Sequence, residues 1–208
     1  MTFGLTLATP RKVVKDSACL FLYRMKIIRN IKTIVGRNVL RSEKEPERVR
    51  RGSNFTNASR VAFLYKDADE DFFKKIKQYI KQIKTDYGIK HVFALGFVDT
   101  ESKKIPIWQN QKLESEFFTR EDLNWQMRPV NNVGKFINED FDILIDLTDG
   151  KSLPLNFVAK ESKAAMKVGV KGSTAERYYD LIIDMGYSFS IDKYLDQLKL
   201  YLSNPKIK

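Results

Sequence analysis

Three short runs in this chain are almost wholly apolar: Val61-Ala62-Phe63-Leu64-Tyr65, His91–Phe97 and Phe141–Leu147. Each has the length of a strand. The first is a short β run, and the second is nearly all apolar, as a strand buried on both faces of a parallel sheet would be. In the third, Asp142 and Asp146 alternate with Ile143 and Ile145, which predicts that one end of it meets solvent.

The stretches between and after these runs carry helical spacing. Phe72, Phe73, Ile76, Ile80 and Ile83 recur at i, i+4, i+7, with Asp67 or Asp69 placed to cap the helix and Gly88 to stop it. Ser152 caps a helix that holds Pro154 in its first turn, where a missing N–H is harmless, and that runs to about Met166. Lys167–Val170 reads as a fourth strand and Tyr179–Ile183 as a fifth. Ser190 caps a last helix with Ile191, Tyr194, Leu195, Leu198 and Tyr201 on one face. Smaller features fill the middle. They are an edge strand at Ile105-Pro106-Ile107-Trp108, a short strand at Phe117–Thr119, a turn at Asp122-Leu123-Asn124-Trp125 that buries its tryptophan, and a short helix over Asn131–Asn138. Strands alternating with helices predict right-handed βαβ units. At this size the expected fold is a three-layer α/β sandwich on a mainly parallel sheet, flavodoxin-like or Rossmann-like, preceded by a basic N-terminal helix.

The 208 residues divide into one α/β domain over 54–208, a basic amphipathic helix and linker over 25–53, and an extension over 1–24 that is either disordered or not part of the protein. The apolar run Ala18–Tyr23 is too short to cross a bilayer. Arg24, Lys26 and Arg29 follow it at once with no small-residue cleavage site, which argues against a signal peptide and favours Met25 as the start. Cys19 is the only cysteine, so no intrachain disulfide forms and a reducing, cytoplasmic setting is expected. With one histidine, His91, no zinc site of Cys and His ligands can be assembled, and a lone histidine beside a strand reads as structural. No metal and no cofactor is expected.

Charge is unevenly spread. Residues 1–53 hold 13 Lys/Arg against 4 Asp/Glu, and residues 54–208 hold 24 against 22, so most of the net +11 sits in the first quarter. Met25–Leu40 reads as a helix whose apolar residues Ile27, Ile28, Ile31, Ile34, Val35 and Val39 share a stripe, with Lys26, Arg29, Lys32 and Arg37 largely off it. Arg41 ends the helix, and the linker Ser42–Ser53 holds Arg48, Arg50 and Arg51. Three readings stay open. The stripe packs on the domain and the charges are a solvated face; or the eight cations neutralise phosphates of RNA or a ribosomal surface; or the helix lies on an anionic membrane.

Ligands of open parallel sheets bind past the carboxyl ends of the strands. Asp99, Thr148, Asp149, Lys151, Ser152, Lys171 and Ser173 are the candidates there, for a phosphorylated or nucleotide-sugar ligand. Thr148-Asp149-Gly150-Lys151-Ser152 ends like a phosphate-binding P-loop, but the position five before Gly150 is Ile145 rather than glycine, so the motif fails. Gly169-Val170-Lys171-Gly172-Ser173-Thr174 lacks the third glycine of a dinucleotide fingerprint. Asp99, Asp149 and Asp184 would form a metal or acid/base group only if folding brought them together. With no complete catalytic motif, the balance leans away from an enzyme.

Ser59–Leu64, Asp122–Trp125 and the stretch from Phe136-Ile137-Asn138 through Phe141–Ile145 to Ser162-Lys163-Ala164 and Lys167-Val168-Gly169 resemble a family of Bacteroidetes proteins known only as a domain of unknown function. The resemblance runs from about Met25 to the C-terminus. It implies a small cytoplasmic protein with a basic N-terminal helix and carries no catalytic residue. The strand ending Leu144-Ile145-Asp146-Leu147 is also similar, at the level of fold alone, to nucleotide-sugar glycosyltransferases of lipopolysaccharide synthesis.

Overall fold

The computed structural model describes residues 11–101, 105 and 115–203. Six strands, β1 (Arg60–Lys66), β2 (His91–Val98), β3 (Ser115–Thr119), β4 (Ile143–Asp146), β5 (Met166–Val170) and β6 (Leu181–Ile183), form one sheet in the order β3-β2-β1-β4-β5-β6. Every neighbouring pair is parallel. That is the doubly wound order, with its switch point between β1 and β4.

The helices follow from the winding. From β1 the chain steps outward to β2, and from β4 it steps the opposite way to β5. Crossovers of one hand therefore place α2 (Glu70–Tyr87) and α4 (Leu153–Glu161) on opposite faces. In β1, Val61, Phe63 and Tyr65 point to a core shared with α2 and α5 (Ile191–Leu202), while Ala62 and Leu64 point to a core shared with α3 (Gly134–Asn138), α4 and the end of α1 (Arg11–Ser42). The three-layer sandwich expected from the sequence is thus present. Asp69 caps α2 by accepting the Phe72 N–H at 2.8 Å, and Gly88 closes it in the left-handed region.

Several local expectations need correction. Trp125 is 54% exposed rather than buried, because its turn is held by Asn124, whose side chain accepts the Gln126 and Arg128 N–H groups, and not by the indole. The helix after Ser152 ends at Glu161, where the chain turns to begin β5 at Met166. Asp146 does not meet solvent: it is buried, accepting the Tyr179 hydroxyl at 2.5 Å and the Thr148 N–H at 2.9 Å. The edge strand expected at Ile105–Trp108 lies outside the described residues, Ile105 apart.

The basic helix begins at Arg11 rather than Met25 and runs to Ser42. The segment after it is no free linker. It is laid across the N-terminal ends of the strands as an extended strap, tied by Arg51 N–H to the Ala165 carbonyl (3.1 Å) and by Phe55 N–H to the Leu202 carbonyl (2.8 Å), with Phe55 fully buried.

Candidate functional site

At the carboxyl ends of the strands, where a doubly wound sheet holds its ligand, the loops after β4 and β5 pack against each other. After β4, Thr148 accepts the Gly150 N–H at 3.0 Å, and the Gly150 carbonyl accepts the Asn156 amide at 3.0 Å and the Ser173 hydroxyl at 3.4 Å. Thr148, Ser152 and Ser173 are all buried. Gly150 has φ +73, and a Cβ there would overlap the Ser173 side chain, so the loop after β4 and the loop after β5 touch with no room between them. Ser152 stands at the N-cap of α4 but makes no capping hydrogen bond.

The carboxylates do not converge. Asp99 binds Arg120 at 2.6 Å and lies 3.7 Å from Arg29 and 3.8 Å from Lys66. Asp149 pairs with the exposed Lys151 at 2.9 Å, and Asp184 with the exposed Lys171 at 2.6 Å. Asp99 and Asp184 follow β2 and β6, four strand spacings apart, or about 19 Å. Among the described residues no group of three potential metal ligands assembles. Of the ligand residues proposed from sequence, the fold buries Thr148, Ser152 and Ser173 and pairs Asp149 with Lys151 at the surface, while Asp99 and Lys171 pair elsewhere.

The two cavities with described linings lie at the other end of the sheet, under the strap. One of about 390 Å³ is lined by Val49, Arg51, Asp142 and Lys163, among others. One of about 560 Å³ is lined by Arg51, Asn57, Arg60 and Asp142, among others. Their arginines are already matched, Arg51 to Asp142 at 2.5 Å and Arg60 to Glu139 at 2.8 Å.

The strap itself is anchored by buried charge. Lys160 and Lys167 are 1% and 0% exposed. Lys160 Nζ reaches Glu43 at 2.9 Å; Lys167 Nζ reaches Glu45 at 3.0 Å and the Lys160 carbonyl at 2.9 Å. Burial drives Lys167 down to about 8, against the pull of Glu45. Burial works to raise Glu43 and Glu45, but the hydrogen bonds and positive charge of Lys160 and Arg128 at the first, and of Arg48 and Lys167 at the second, together outweigh it and hold both below the usual carboxylate range. Arg48 belongs to this network. It contacts Glu45 at 2.7 Å, Asp180 at 2.9 Å and the Ala164 and Ala165 carbonyls at 3.1 Å, with its side chain almost wholly buried. Its place among the phosphate-binding residues is therefore corrected: no N–H fork is left to offer. Arg50 and Arg51 are exposed but paired, with Glu45 at 2.7 Å and Asp142 at 2.5 Å. Sequence reasoning missed both buried lysines. The signal was present for Lys167, which interrupts an otherwise apolar five-residue strand, and weaker for Lys160, which follows the apolar run Phe157-Val158-Ala159.

The end of α1 is gripped as firmly. Leu40 is fully buried, and its carbonyl accepts the Tyr178 hydroxyl at 2.6 Å. Arg177 reaches the Leu40 and Arg41 carbonyls, a cation at the negative end of the helix. At Gly36 any Cβ would overlap the Gln126 carbonyl and come within 2.8 Å of the Leu153 side chain, so glycine lets α1 lie close against α4. Upstream the helix is open on every side: Tyr23–Ile31 are all exposed. The expectation that the apolar stripe packs on the domain holds only at Val35 and Val39, which are half-buried. Ile27, Ile28, Ile31 and Ile34 are 40–58% exposed. Gly36 lies about 180°, 140° and 160° around the helix from Ile27, Ile31 and Ile34 and about 80° from Ile28, so the small residue faces the body, three of the isoleucines face away and Ile28 lies to the side. From Tyr23 to Ser42 there are six cations (Arg24, Lys26, Arg29, Lys32, Arg37 and Arg41) and no acid. Apart from Arg29, which is near Asp99, none of them pairs with a carboxylate among the described residues. No described helix is long and apolar enough to cross a membrane.

These features define a doubly wound α/β protein with closely packed loops after β4 and β5 and an outlying amphipathic helix. Residues 32–204 match the family of unknown function DUF6913, and the chain belongs to that family. No curated protein and no solved structure matches it.

Proposed function

We propose that this chain is a cytoplasmic, non-catalytic binding protein that attaches to an anionic surface through α1, its α/β domain serving as the body that is carried or presented. One observation carries this: five of the six cations between Tyr23 and Ser42 meet no carboxylate among the described residues, while Arg48, Arg50 and Arg51 of the strap pair with neighbouring acids. Lys26, Arg29, Lys32, Arg37 and Arg41 are the attachment residues; Arg24 joins them and Arg48 leaves them. The filled contact between Gly150 and Ser173 weighs against an enzyme or sensor that takes a phosphorylated or nucleotide-sugar ligand at the strand ends. RNA, a ribosomal surface and an anionic membrane share the chemistry that α1 would meet. The setting proposed is a Bacteroidetes cytoplasm, as the resemblance in sequence implies.

The test is salt elution of the full chain from immobilised heparin, a generic polyanion. Reversal of Lys26, Arg37 and Arg41 to glutamate should lower the eluting salt and flatten the salt dependence of binding. Reversal of Lys81, Lys135 and Lys193, exposed on α2, α3 and α5, changes net charge equally and should act much less. Equal loss in both sets would sink the proposal.

A further inference from the structure

Resting on the attachment proposed above, we infer that the surface α1 meets is an anionic lipid bilayer, and that the outward stripe of Ile27, Ile28, Ile31 and Ile34 is the part that enters it. The charges alone do not choose between phosphates of a nucleic acid and phosphates of a lipid headgroup. The stripe does. A nucleic acid would neutralise the cations and leave four exposed isoleucines in water, whereas a bilayer takes both, the apolar face in the acyl boundary and the cations at the headgroups.

The placement of the cations suits this. Measured around the helix from Ile31, Lys32 lies about 100° to one side, and Arg41 and Arg37 lie about 80° and 120° to the other. Long cationic side chains thus border the stripe on both flanks, where their methylene stems reach back toward the headgroups. The body does not obstruct the approach. Gly36 and Leu40 fix the opposite face of the helix to α4 and Tyr178, so the stripe looks away from the sheet. A second copy is a poorer occupant for the same face. Between Tyr23 and Ser42 there is no acid, so two stripes brought together would set cation against cation with nothing to pair them.

The experiment is flotation of the full chain with vesicles of phosphatidylcholine alone and of equal parts phosphatidylcholine and phosphatidylglycerol, beside binding to a single-stranded RNA oligonucleotide. The expected result is flotation with the anionic vesicles only. Ile27→Ser/Ile31→Ser should weaken it at least about tenfold while leaving heparin retention unchanged, since each isoleucine carries apolar transfer energy and no charge. Three results would overturn the inference while leaving attachment through α1 standing. The serine variant floats as well as the parent. The RNA is bound, equally by parent and variant, and vesicles are not. Or the parent sediments as a dimer that the serine variant dissolves to monomer, which gives the stripe to a second copy. Failure to bind heparin as well as vesicles would instead remove the attachment proposal itself.

Discussion

The two halves of α1 are made from the same kinds of residue and have opposite fates. Beyond Val35, apolar residues and glycine meet the body, and the strap that follows surrenders its charges to buried partners. Between Tyr23 and Val35, isoleucines and most cations are left exposed. The difference teaches that basic composition alone does not locate a binding surface. Arg48 and Lys26 look equivalent in the sequence, yet Arg48 is almost wholly buried between Glu45 and Asp180, while Lys26 stands exposed with no acid near it among the described residues. What separates them is whether the fold supplies an acid. The strap brings Glu43 and Glu45 with it, and the stretch Tyr23–Ser42 before it brings none.

The contrast breaks first at Glu45. Glu45→Ala strands buried Lys167 and leaves Arg48 with one carboxylate, a loss of about 3 kcal/mol in urea-denaturation stability. A loss under about 1 kcal/mol would mean that the strap is not anchored by charge at all. Gly36→Leu forces a side chain into the contact with Gln126 and Leu153 and should cost about 2 kcal/mol by the same measurement, with α1 displaced from α4. Smaller is a pH effect. Lys167 sits near 8 in the folded chain against its ordinary 10.5, so above about pH 8 the unfolded chain holds that proton more often and this titration raises stability with pH. Burial pushes Tyr65, Tyr79, Tyr179 and Tyr194 up, and their titration acts in the other sense above pH 10. The window is therefore about pH 8 to 10. There the melting temperature of the parent should climb relative to that of Lys167→Met, and parallel curves would contradict the assignment. Smallest is Ile31→Ser, which removes an exposed side chain and should leave stability within about 0.5 kcal/mol. A larger loss would show that the stripe packs on the body after all.

Much of the fold was legible because its strands are buried on both faces. Val61–Tyr65 and His91–Phe97 announce themselves by lacking a polar side, and Asp69 and Gly88 bracket α2 by capping chemistry that is local in sequence. What was not legible depends on partners far along the chain. Asp146 reads as a residue at a wet strand end until Tyr179, 33 positions later, folds over it. Lys167 and Glu45 are 122 positions apart, so neither hints at the other. The packing of the strand-end residues was illegible for the same reason: whether Thr148, Ser152 and Ser173 stand open or are buried is decided by how closely the loops after β4 and β5 approach, and only Gly150 hints at the answer.

The most direct test of the central claim compares two faces of one helix turn. Cys19→Ser variants carrying Ile31→Cys or Asn30→Cys, each labelled with an environment-sensitive nitrobenzoxadiazole dye, would be mixed with the phosphatidylglycerol-containing vesicles. Asn30 is exposed and sits about 100° from Ile31 on the polar side. The account predicts a blue shift and rise in emission at position 31 and a water-like spectrum at position 30. No change at position 31, or equal changes at both, would contradict it.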